Sequence, residues 1–258
     1  MHSIFGIILF ALALVVTVKA TTLSTTATPT TSDAPFLSGP LPAITPAPDA
    51  SSPLSPRGND LFTINVYTKG DVPGLHIAWQ HNSDSPGDVN GVQNQPLGSK
   101  TMGVYPTGWA GRIAIGRDPD IGAINRGSLI EASFIGGRSS YDVTYVQGYS
   151  VPIVCSCKDV FNTGCNIPLF WHKEKCPEMG PGNTCYNPLR NSGQGRGTRA
   201  QAFFEPCQGG AMAYPNDHDS IVSCTENQIS CCVGHGCPAS AQQHQRNKRA
   251  IDGHIKHA

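Results

Sequence analysis

Cysteine is absent from this 258-residue chain until Cys155, and charge is sparse throughout. The 18 basic and 18 acidic residues cancel, and no Lys/Arg stripe is present, which excludes the electrostatic footprint of a nucleic-acid-binding protein. No Asn-x-Ser/Thr acceptor occurs, so N-glycosylation is not expected. No stretch carries a convincing helical period. The apolar run from Ile4 to Val18 falls short of the ~20 residues a spanning helix needs. The last residues are not hydrophobic, which argues against a GPI signal. Paired C-x₂-C knuckles are also missing, with only Cys155-x-Cys157 and the adjacent Cys231-Cys232. Zinc is therefore not expected, although His172, His218 and His235 lie among the cysteines. No cofactor is indicated.

What is present divides the chain. Residues 1–20 have an apolar core and a small-residue end at Val18-Lys19-Ala20. They read as a secretory signal peptide cleaved after Ala20, leaving no membrane segment. Residues 21–58 are rich in Thr, Ser, Pro and Ala, too poor in apolar payload to offset chain entropy. They read as an extended stalk or linker, with or without O-linked sugar. A folded domain is expected over 59–238, and a disordered, polar, His-rich tail over 239–258. Within the tail, 246–249 fits the R-x-K/R-R pattern of secretory processing proteases. Residues 250–258 are then either trimmed or kept as a solvated basic end.

The domain opens with strand patterns. Leu61 to Tyr67 alternates with period two, and Leu75 to Trp79 is expected to be its hairpin partner. Residues 80–100 read as loop, and Trp109 to Arg117 as a further strand. The clearest unit is a hairpin over 127–152. Leu129, Glu131, Ser133 and Ile135 alternate with Ile130, Ala132 and Phe134, Gly136-Gly137 supplies the turn, and alternation resumes from Tyr141 to Gln147. Each strand carries one carboxylate, Glu131 and Asp142. Each is either a solvated outward position or a group aimed into a cleft. An odd register would send one of them to the opposite face.

After Pro152 cysteines recur, Gly and Pro are frequent and alternation fades. Cys155, Cys157, Cys165, Cys176, Cys185, Cys207, Cys224, Cys231, Cys232 and Cys237 form an even set. In a secreted chain that means disulfides, of a connectivity sequence alone does not fix. Residues 190–198 read as a flexible loop, and 198–205 as a short helix. Many short strands between Gly/Pro turns predict an all-β fold: an antiparallel β-sandwich core over 59–152 with a disulfide-rich loop subdomain over 153–238.

Several segments, in order, resemble the thaumatin-like (osmotin-like) family. Trp109 to Arg117, WAGRIAIGR, is similar to the family's W-S-G-R-I-W-G-R-T. Leu129 to Phe134 and Tyr141 to Pro152 resemble A-E-F-x-L and D-F-Y-D-V-S-L-V-D-G-Y-N-x-P. Gly164 to Leu169 with Cys176-Pro177 resembles G-C-x-x-D-L…C-P, and Phe203 to Cys207 with Ala213 to Asp217 and Cys224 resembles F-F-x-x-C-P-x-A-Y-S-Y-P-x-D-D…C. The resemblance implies a β-sandwich beside a disulfide-rich region with an acidic cleft between them. The cleft's Arg would fall on Arg112, its Glu on Glu131 and two of its Asp on Asp142 and Asp217. Gln147 stands where the family has the remaining Asp. The family's first-strand cysteine is missing here, so Cys237 is expected to pair elsewhere.

The implied activity is binding of β-1,3-glucan by a secreted, wall-associated monomer, with weak or no endo-β-1,3-glucanase activity. Hydrolysis would use Glu131 as acid with Asp142 or Asp217 as base, and Arg112 and Gln147 would contact sugar. A structural ion pair of Arg112 with Glu131 or Asp142 is the plainer alternative for that residue. From another class, the chain reads as a secreted wall or effector-type protein whose loops meet a protein partner without carbohydrate turnover.

Overall fold

The computed structural model describes residues 61–87, 94–121, 126–191 and 197–245. The expected signal peptide, stalk, processing site and most of the 190–198 loop lie outside the described residues. The strands are β1 (Leu61–Thr68), β2 (His76–His81), β3 (Asn94–Pro96), β4 (Lys100–Pro106), β5 (Ala110–Gly116), β6 (Ser128–Ile135), β7 (Arg138–Thr144), β8 (Gly148–Tyr149), β9 (Ile153–Cys157), β10 (Val160–Cys165), β11 (Met179–Gly180), β12 (Thr184–Tyr186), β13 (Val222–Cys224) and β14 (Gln228–Val233). They form a six-stranded sheet in the order β13-β7-β6-β5-β2-β3, a five-stranded sheet in the order β10-β9-β14-β1-β4, and a small sheet β11-β12-β8. The fold is all-β and, apart from the parallel β1–β14 pair, its ladders are antiparallel.

The two large sheets bury their facing sides in one apolar core. Phe62 on β1 stacks on Phe134 of β6 with centroids 4.9 Å apart, and Trp79 of β2 meets Tyr105 of β4 at 6.0 Å. Alternation sets this arrangement, since Ile113, Ile115, Ile130, Phe134, Tyr141 and Val143 all point inward and are fully or nearly fully buried. The β6–β7 hairpin turns on Gly136 and Gly137, both left-handed at φ 61° and 73°, a geometry glycine adopts without steric cost.

Three sequence expectations need correction. Leu61–Thr68 does not pair with β2: it lies between β4 and the C-terminal β14, while β2 lies between β3 and β5 in the other sheet. The connection between them is a crossing, not a hairpin, and it buries Val72 and Leu75 on the way. The stretch 80–100 is not all loop, because it holds the end of β2, all of β3 and the start of β4. The helix expected over 198–205 is only a 3₁₀ turn at Glu205–Cys207.

The cysteine-rich segment also behaves differently in its two parts. β9, β10 and β14 enter the five-stranded sheet, whereas 166–221 supplies mostly short 3₁₀ turns and the β11-β12 pair. All ten cysteines are bridged: Cys155–Cys231, Cys157–Cys224, Cys165–Cys207, Cys176–Cys185 and Cys232–Cys237. Cys157–Cys224 ties β9 to β13 and so joins the two large sheets covalently.

Buried tyrosines complete the linkage. Tyr145 Oη donates to Cys165 O at 3.2 Å and accepts from Ile153 N at 3.1 Å; Tyr149 Oη donates to Ile167 O and accepts from Leu169 N. Tyr141, buried on β7, donates to Asn162 Oδ1 on β10 at 2.8 Å, across the two sheets. Burial pushes its phenol up to about 12, against the Asn162 hydrogen bond, so the donor is retained at neutral pH. Tyr141→Phe is expected to cost about 1 kcal/mol. In thermal unfolding that appears as a loss of roughly 2–4 °C, with no change in secondary structure.

Candidate functional site: a cross-strand row of polar side chains

The outward face of the six-stranded sheet carries the candidate site. Residue 80 of β2 pairs with 112 of β5, 112 with 131 of β6, and 131 with 142 of β7. Gln80, Arg112, Glu131 and Asp142 therefore form one continuous row across four strands. Their strand neighbours in register rows on either side point inward. The register question left open by the sequence is thus answered: Glu131 and Asp142 stand directly opposite each other on one face, with β-carbons ~4.5–5.5 Å apart in such a pair.

The rows flanking this one on the same face are made of small or apolar residues. Ala78, Ala114 and Leu129 pack with Ile121 on one side, and Ala110, Ser133 and Ser140 follow each other in register on the other. Gly111 lets β5 approach β2 closely beneath the row, since a β-carbon there would strike the backbone of Gln80 and His81 and the Trp109 ring. Arg112 Nε donates to Gln80 Oε1 at 3.1 Å. Among the described residues no ion pair closes between Arg112 and either carboxylate. The plain ion-pair reading of Arg112 is therefore not what is found.

Asp217 arrives from the other half of the chain. The segment 211–213 runs beside the end of β7, where Met212 N donates to Val143 O and Tyr145 N donates to Met212 O, both at 2.8 Å. Fully buried Asn187 fixes this contact, its Nδ2 donating to Tyr145 O and Ala213 O at 3.0 Å each. The turn that follows places Asp217 Oδ2 where Gly209 N and Ala213 N donate to it at 3.3 Å.

Electrostatics register the crowding. Burial pushes the Glu131 carboxyl above the ordinary carboxylate range, and the Arg112 guanidinium opposes that rise. Asp142 is held well above its usual value by burial first, then by the charges of Glu131 and Asp217. One of its oxygens, Oδ2, is buried with no hydrogen-bond partner. Burial, followed by Asp217 and Asp219, also raises the Tyr214 phenol.

Exposure separates the members. Asp142 and Asp217 are only 6% and 2% exposed, whereas Arg112 and Glu131 are partly open and Gln80 is exposed. Gln147 lies past the end of β7, which stops at Thr144, and so falls outside the row. A cavity of 620 Å³ bordered by Gln208, Tyr214, Asp217, Asp219 and Gln242 touches the cluster only through Asp217. Among the described residues no group of His, Cys, Asp and Glu is placed to hold a metal ion.

Sequence reasoning missed Gln80, Asn187 and Tyr214. Gln80 sits at the end of a strand pattern read as leading into loop. Tyr214 lies within the Ala213-Tyr214-Pro215-Asn216-Asp217 motif and had a signal, whereas Asn187 had none. In comparison with known proteins, no family model and no curated protein matches this chain.

Proposed function

We infer that this is a secreted, wall-directed protein that binds β-1,3-glucan on the outward face of the six-stranded sheet, without useful hydrolysis. The observation that carries the reading is the register that sets Gln80, Arg112, Glu131 and Asp142 in one row. Such a row offers a planar amide, a guanidinium and a carboxylate to successive sugar hydroxyls. Five disulfides accord with an oxidising compartment. The choice of β-1,3-glucan over other glycans rests on the thaumatin-like resemblance of residues 109–117, 129–152 and 203–224.

Burial favours binding over turnover in this reading. Glycoside hydrolysis needs two carboxyl groups that both reach the scissile bond. Asp142 and Asp217 are nearly closed to solvent, leaving Glu131 as the one reachable carboxyl of the three. Burial raises both the Glu131 and the Asp142 carboxyl, so the pair shares its protons rather than dividing into a free acid and a free base. In this reading Glu131 is the acceptor for a sugar hydroxyl, with Asp142 directly opposite it in the row and Asp217 acting on Asp142. Gln147 is assigned no part.

The test incubates the oxidised protein with insoluble β-1,3-glucan and records bound protein and released reducing sugar together. Retention without sugar release is expected. Sugar release abolished by Glu131→Gln would make the protein an enzyme. Neither retention nor release would remove the glucan reading and redirect the search to protein partners.

A further inference from the structure

A second surface, separate from the row, has the composition of a sugar platform. Trp171 is 72% exposed, the most open large hydrophobic side chain among the described residues, and Phe170 and Met179, at 40% and 54%, line the same cavity. It is held firmly for so open a residue. It closes a 3₁₀ turn, Leu169–Trp171, whose Leu169 is fully buried and donates its N–H to Tyr149 Oη at 3.2 Å. The indole lies against the His235 ring with centroids 4.4 Å apart, and Phe170 packs on Tyr149 and Phe203.

Polar groups stand around these rings. Arg117, Ser150, Asn183 and His235 line the adjoining cavity of 280 Å³ together with Phe170 and Trp171. His235 Nδ1 finds no hydrogen-bond partner in the protein. Among the described residues no carboxylate lines this cavity, and none of those lining it belongs to the row or to the 620 Å³ cavity.

We propose that Trp171 is the platform of an independent subsite for a pyranose ring. The ring's axial C–H face lies on the indole, while Arg117 and Asn183 donate to its hydroxyls. Flat aromatic area beside planar hydrogen-bonding groups matches a sugar, which is apolar on its faces and polar around its edge. The cavity of 280 Å³ is just below the ~300–1,000 Å³ of drug-sized ligand sites, a size that suits a single sugar ring. The subsite stands on its own observations and does not depend on the row.

The three tryptophans give a direct readout, because Trp79 and Trp109 are only 8% and 1% exposed. Acrylamide quenching of the full oxidised protein therefore reports mainly Trp171. Short β-1,3-gluco-, cello- and N-acetylchito-oligosaccharides are titrated in turn, and at least one is expected to shield the indole. By calorimetry Trp171→Ala should weaken that sugar roughly tenfold, the limit of a ~0.5–1.5 kcal/mol ring contact, at unchanged melting temperature. Trp171→Tyr should restore most of the affinity. Glu131→Gln should leave the shielding intact, which distinguishes failure here from failure of the row. Quenching unmoved by all three sugars, or full affinity in Trp171→Ala, would overturn the subsite. Shielding lost in Glu131→Gln would overturn its independence.

Discussion

Removing either of the nested disulfides Cys155–Cys231 and Cys157–Cys224 is expected to leave a folded protein, and removing both to unfold it. The bridges close sequence separations of 76 and 67 residues between nearly the same two points of the chain. With one intact, the other closes a ring of only about ten residues, Cys155 to Cys157 on one side and Cys224 to Cys231 on the other. The loss from a single Cys-to-Ala pair is then about 3 kcal/mol on the loop-entropy account, and the loss from both about 7 kcal/mol. The second figure is comparable with the whole ~5–15 kcal/mol stability of a domain. Urea unfolding of the two single-pair variants and the quadruple variant checks this. Losses that simply add would show that the bridges act through local packing.

The second large effect concerns pH. Asp142 has a folded-state pKa well above the ordinary 3.8, raised by burial and by its carboxylate neighbours. In the window between those two values the folded protein keeps a proton that the unfolded chain releases. Stability therefore falls as pH rises through that window, and is fullest below the ordinary value. Glu131, raised from 4.5, adds a dependence of the same sign. Asp142→Asn removes the Asp142 contribution. The variant should match the wild type in acid and exceed it at neutral pH by about 1–3 kcal/mol, the scale of a buried polar group left unsatisfied. Melting curves at several pH values read this directly. A variant less stable than wild type at neutral pH would show that the Asp142 carboxylate has a favourable partner after all.

The parts of this fold that were legible in sequence are those whose signal is local. The hairpin β6–β7 announces itself through alternation and Gly136-Gly137, and it carries half of the row. Oxidised cysteines followed from their even number and clustering. What sequence could not show lies at long range. Leu61–Thr68 finds its neighbour β14 at the far end of the domain, in a parallel pair with no connecting turn to mark it. β9 hid for a different reason: Ile153, Val154 and Cys155 are all fully buried, so both faces are covered and no alternation appears. Asp217 comes near Asp142 because Met212 bonds to the end of β7 and Asn187 ties Tyr145 to Ala213, contacts between residues with no sequence relation. Gln147 was placed beside the carboxylates by motif position in the resemblance alone, and it lies beyond Thr144, where the ladder of β7 stops.

The most direct test of the binding row is a calorimetric titration of oxidised wild type and Glu131→Gln with a soluble β-1,3-gluco-oligosaccharide. The account predicts measurable binding by the wild type. It also predicts a loss of about 10- to 100-fold in Glu131→Gln, the weight of one hydrogen bond to a charged group, with the melting temperature not lowered. Equal affinity in the two proteins, or no binding by the wild type, would contradict it.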